Sequence, residues 1–194
     1  MAEGTTASPN RFVSVPVMRL MARRMIPFYC RIANNRKYAE AWTAGVRKAD
    51  VNALVRLLKQ VGIQVPSREV GSFATNGIGY FVEFNAPSPI NLYADGTTLQ
   101  PGTTQSYFNT TVHRAIARAV LPLYRAIAFQ PVFAKLVVRA IVTGKLRLLH
   151  VLVRSKVKTL ALRTIQIQES GFRLGFKYAA SRFVFYNLCF QSGI

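Results

Sequence analysis

"GFRLGFKYAASRFVFYNLCF", residues 171–190, is the stretch on which the fold reading turns. In its first half Phe172, Leu174, Phe176 and Tyr178 alternate with Arg173 and Lys177, the period of a strand with one face on a core. The second half, "RFVFYNLCF" at 182–190, is apolar at odd and even positions alike, as in a strand covered on both faces. The C-terminus therefore reads as sheet with a buried inner strand. Core packing is the expected role of Phe172, Phe176 and Tyr178, which share a face with Leu174. Base stacking beside Arg173 and Lys177 is the alternative.

Upstream the period lengthens. Wound as a helix, "VHRAIARAVLPLYRAIA" (112–128) gathers Val112, Ile116, Val120, Leu123 and Ile127 on one side. Arg114, Arg118 and Arg125 fall within about 40° of one another on the other side. Asn109 or Thr110 caps this helix, and Pro122 predicts a kink or break. Pro131 opens a second helix that Gly144 ends, with Lys135 and Arg139 stacked on one face. Asp50 caps a third, in which Leu54, Leu57, Leu58 and Val61 share a face and Gly62 supplies the stop.

The remaining pattern is extended. Asn76-Gly77 inside "GSFATNGIGYFVEF" marks a hairpin turn. Residues 85–106, punctuated by Pro87, Pro89, Asp95-Gly96 and Pro101-Gly102, predict a Pro/Gly-rich hairpin loop turning at Asp95. In "RSKVKTLALRTIQIQ" Arg154, Lys156 and Lys158 fall on one strand face. The fold class expected is α+β: a mainly antiparallel sheet with two or three packed helices over 49–194. A basic N-terminal arm over 1–48 precedes it. Seven lysines and arginines lie between Glu3 and Glu40 without an acid, and Pro16 and Pro27 limit any helix there. Three readings of the arm stay open: a targeting segment, a basic arm threading into nucleic acid, and an ordinary solvated tail.

Charge is the strongest functional signal. Lysine and arginine total 26 against 7 acids, a formal charge of +19, while 51% of residues are hydrophobic and supply a core. Between Asp95 and Glu169 there is no carboxylate but there are eleven basic residues, so pairing within that segment cannot neutralise it. A compact body this cationic repels itself and calls for a polyanionic partner. Arginine, the commoner cation here, matches phosphate with a bidentate fork.

Catalytic patterns are missing from the sequence. The acids are scattered rather than paired, and no GxSxG elbow, HExxH or CxxC spacing occurs. No cofactor, metal or enzymatic activity is expected. His113 is read as an extension of the basic face and His150 as a buried or edge residue. Glu83 is read as solvated or paired with an arginine, and Cys30 and Cys189 as small apolar residues. No apolar run reaches the ~20 residues of a membrane span.

The expected function is non-enzymatic binding of nucleic acid, structured RNA first, through phosphate contacts within a ribosome or another large ribonucleoprotein. Neighbouring proteins of that assembly would be further partners. The compartment is left open by the sequence; an intracellular setting is the expectation, and a mitochondrial one would reconcile the N-terminus with the charge. The expected contact residues are Arg19, Arg23, Arg24, Arg114, Arg118, Arg125, Lys135, Arg139, Arg154, Lys156 and Lys158. The alternatives are a self-assembling capsid or matrix protein with a nucleic-acid-facing surface, and a peripheral protein on anionic membrane.

Overall fold

The computed structural model describes residues 11–191. The fold is α+β, with all strand pairings antiparallel among the described residues. The helices are α1 (Val15–Asn34), α2 (Arg36–Arg47), α3 (Val51–Lys59), α4 (Thr110–Phe129), α5 (Pro131–Val142) and α6 (Leu146–Lys156). The strands are β1 (Val70–Thr75), β2 (Gly79–Asn85), β3 (Leu92–Leu99), β4 (Leu162–Gln168), β5 (Gly171–Phe176) and β6 (Phe185–Gln191). They form one sheet in the order β1-β2-β3-β6-β5-β4.

The C-terminal strand is central, between β3 and β5, and Phe185, Asn187 and Cys189 are buried along it. Phe172, Leu174 and Phe176 of β5 are buried too, with Arg173 half-exposed between them. The β1–β2 hairpin turns at Asn76-Gly77, where Gly77 takes φ +80°, a conformation that costs a residue without Cβ little. Local helix signals hold as well. Asp50 and Asn109 accept from the backbone N–H groups of Ala53 and Val112, Pro131 stands at the start of α5, and Gly62 and Gly144 adopt positive φ after α3 and α5.

Four expectations need correction. The first is the arm. Residues 1–10 lie outside the described residues, but 15–47 form α1 and α2, so the helices number more than the two or three expected. Met18, Met21, Met25, Phe28, Tyr29 and Ile32 recur at helical spacing and are fully buried. Pro16 sits in the first turn, where its missing N–H costs nothing, and Pro27 faces solvent, where water can reach the carbonyl it leaves unpaired. Pro122 is likewise exposed, and α4 runs through it from Thr110 to Phe129.

Second, Asp95-Gly96 is not a turn. Both lie inside β3, and the 85–106 loop shrinks to the segments flanking that strand. Gly96 is needed for close approach, because a Cβ there would collide with the Tyr80 carbonyl oxygen of β2. Third, residues 146–156 form a helix, with Leu149, Leu152 and Val153 buried at helical spacing. Arg154 and Lys156 therefore point about 160° apart instead of sharing a strand face.

Fourth, the polar residues of the core differ from the reading. His113 is fully buried, in edge contact with Tyr80 and Phe108 at centroid distances of 5.4 and 5.3 Å. His150 is an exposed residue of α6, its Nε2 3.1 Å from the Ile165 carbonyl oxygen. Glu83 is buried on β2 and accepts from the Ser72 hydroxyl. Aromatic packing fills the helix–sheet interface: Trp42 of α2 lies 4.6 Å from Phe28 of α1 and 5.0 Å from Tyr80 of β2, edge to face.

Candidate nucleic-acid interface

All eleven expected contact residues lie on α1, α4, α5, α6 or the loop leaving α6. The structure divides them into cations that close the fold and cations that face outward.

The first group joins α1 to α4, which run antiparallel. An α-helix ends with unpaired carbonyls carrying partial negative charge, and guanidinium is a suitable cap. Arg114 donates from Nε to the Ile32 carbonyl (3.3 Å) and from Nη2 to that of Ala33 (3.0 Å), at the end of α1. Arg118 donates to the same Ala33 oxygen at 2.8 Å. At the opposite end Arg19 of α1 donates from Nε to the Ala128 carbonyl of α4 at 3.1 Å. Each helix thus caps the other's C-terminus. Arg24 is ion-paired to Glu69, and Arg154 donates to the Leu162 carbonyl at 2.8 Å.

The second group is exposed. Arg23 lies over the Phe129 ring, 5.9 Å from its centroid. Arg125 approaches the Cys30 sulfur at 3.7 Å. Lys135 and Arg139 share the outer face of α5, as their spacing predicts.

Arg118, Lys156 and Lys158 come together. With Tyr178, Thr159, Pro122, Ala115 and Ala119 they line a surface depression of about 420 Å³. The α4 face beside its arginines, Ala115, Ala119 and Pro122, makes a floor without long side chains. Arg118 stands at its edge, one guanidinium nitrogen held by Ala33. Lys156 ends α6 with its ammonium 5.3 Å from the Phe133 ring centroid, and Lys158 is exposed in the following loop. No carboxylate is among the described residues lining the depression. Burial raises the Tyr178 phenol above its ordinary pKa, against an opposing hydrogen bond with Thr159, so the ring adds no negative charge near neutrality.

Tyr178 is the residue whose place the sequence pattern concealed. Period two assigns it to the core face with Phe172 and Phe176, and those two are fully buried. β5 ends at Phe176, however, and Tyr178 leaves the register half-buried, its ring stacked on Phe176 at an interplanar angle of 12°.

A separate polar cluster lies deep in the core. Tyr29 donates to Asp95 Oδ1 at 2.7 Å, Tyr124 donates to Oδ2, and Asn187 donates to the Tyr29 hydroxyl at 2.8 Å. Burial pushes the Asp95 carboxyl up to about 7, held back by the two tyrosine hydrogen bonds. Burial pushes His113 down to about 3. Its Nε2 is 2.9 Å from the Tyr80 hydroxyl, which itself donates to Thr97 Oγ1 at 3.3 Å. Among the described residues these groups are enclosed, which suits them to holding helices on the sheet.

Comparison with protein-family models, curated proteins and solved structures finds nothing that matches this chain. No described helix is long and apolar enough to cross a membrane.

Proposed function

We propose that the protein is a non-enzymatic nucleic-acid-binding component of a larger ribonucleoprotein, gripping structured RNA by its phosphates. The observation that carries this reading is the convergence of Arg118, Lys156 and Lys158 on one depression with no described carboxylate in its lining. Those cations come from α4, α6 and a loop, so the tertiary fold assembles the patch rather than one amphipathic segment. A guanidinium held at one nitrogen keeps other donors for phosphate, and the ammonium groups act as point charges beside it. Phosphate contacts position nucleic acid without reading its sequence, so weak base preference is expected.

The test is RNA binding by the nuclease-treated full chain across a salt series. Log affinity should fall linearly with log salt, and changing Arg118, Lys156 and Lys158 together to Gln should make the slope shallower by roughly 2–3. An unchanged affinity and slope in that variant would remove the depression from the interface. A regular shell forming after nuclease treatment would favour the capsid-type reading instead.

A further inference from the structure

The outer surface of α5 and its neighbours combines cations with water-facing apolar side chains, and the phosphate-binding reading does not use the latter. Among the described residues, exposed large apolar side chains are concentrated between 129 and 160: Phe129, Val132, Val142, Leu146, Val151 and Leu160. Val132 is 72% exposed, Val151 68% and Leu160 86%, so they are not edges of the core. This interval also lies within the acid-free segment, and outside the depression it carries Lys135, Arg139, Lys145 and Arg147.

Geometry ties the two together. The main packing partners of α5 are α1, α4 and α6, and its far side is exposed. Its buried side is Ala134, Val137, Ala140 and Ile141. On the opposite side Val132, Lys135, Arg139 and Val142 lie within about 80° of arc, so two cations flanked by a valine at each end form one exposed stripe. Leu146, at the start of α6, follows the end of that stripe. A surface meeting only phosphates in water gains nothing from exposed valines, and a surface meeting another protein core gains little from unopposed cations. An anionic bilayer surface accommodates both, because headgroup phosphates meet the cations while short apolar side chains enter the acyl boundary.

We infer that the α5–α6 face is a docking surface for anionic lipid bilayers, separate from the depression that binds nucleic acid. The protein would then sit on a membrane surface without spanning it.

The test uses the nuclease-treated full chain with vesicles of phosphatidylcholine alone and of phosphatidylcholine with about 30% phosphatidylglycerol. Binding is expected to the second only, and to weaken with salt. Changing Val132, Val142 and Val151 together to Asn should lower vesicle affinity at least tenfold, leaving the thermal melt and RNA affinity unchanged. Val132→Trp supplies a reporter whose emission should shift to the blue on anionic vesicles, since native Trp42 is fully buried.

No vesicle binding, or binding indifferent to the valine substitutions, would overturn the inference. So would a free protein that self-associates until those valines are changed, because a second copy would then be the occupant. Loss of RNA and vesicle binding together in the valine variant would merge the two surfaces and also overturn it. The Arg118/Lys156/Lys158 variant separates the readings, as it should lose RNA affinity and keep most vesicle affinity.

Discussion

Asp95 and His113 show how burial sets the chemistry of single residues here. Asp95 releases its proton near pH 3.8 when unfolded but near 7 when folded, so the folded state holds the extra proton between those values. Stability therefore falls as pH rises through that window. His113 behaves oppositely: unfolded it gains a proton near pH 6.5, folded only near 3, so stability rises with pH across that interval. Between about pH 4 and 6.5 the two slopes cancel. Asp95→Asn should expose the histidine slope, with urea-unfolding stability climbing by up to about 1.4 kcal/mol per pH unit from pH 4 to 6.5. His113→Gln should expose the reverse slope. Parallel curves for both variants and the parent would show that neither group titrates with folding. Neither residue's burial was legible in the sequence. Asp95-Gly96 has the local chemistry of a turn, and only distant hydroxyls from Tyr29 and Tyr124 make a buried strand carboxylate tolerable. The caps at Asp50 and Asn109 were legible because their partners lie three residues away.

At the scale of elements, the arginine stripe of α4 answers two demands at once. Arg114 is half-buried against the end of α1, whereas Arg118 reaches both the Ala33 carbonyl and the surface depression. Arg114→Gln should lower stability by about 1–2 kcal/mol, since hydrogen bonds from a charged donor to helix-end carbonyls are lost. Arg19→Gln, at the other end of the same antiparallel pair, should cost a similar amount. Lys158→Gln, exposed in a loop, should leave the melt unchanged within about 0.5 kcal/mol. Equal melts for all three would mean the caps contribute nothing. The sequence displayed the stripe but not its target, because α1 was hidden behind Pro16 and Pro27. α6 is illegible for a related reason: the β-branched Val151, Val153 and Val157 imitate a strand, and the burial of Leu149 and Val153 in the core overrides that propensity. The inner strand β6 needed no such context, because being apolar on both faces is itself the mark of a central position.

For the molecule as a whole, the surplus of positive charge sets how it responds to solvent. Asp95 and Glu83 are buried, Glu69 and Glu40 are ion-paired with Arg24 and Arg36, and Asp50 caps α3, so few acids remain to offset the surface cations. Self-repulsion at +19 works against compactness and is screened over about 10 Å at 0.1 M salt. Raising sodium chloride from about 10 to 150 mM should accordingly raise the melting temperature, before any specific ion effect. A polyanion that binds only the folded surface should do more at far lower concentration, by mass action. Adding a structured RNA at micromolar concentration in low salt should lift the melting temperature by several degrees, and the Arg118/Lys156/Lys158 variant should forfeit most of that lift. If polyphosphate of matched charge gave the same lift in the variant as in the parent, the stabilisation would belong to the diffuse charge. The depression would then have no special part in it.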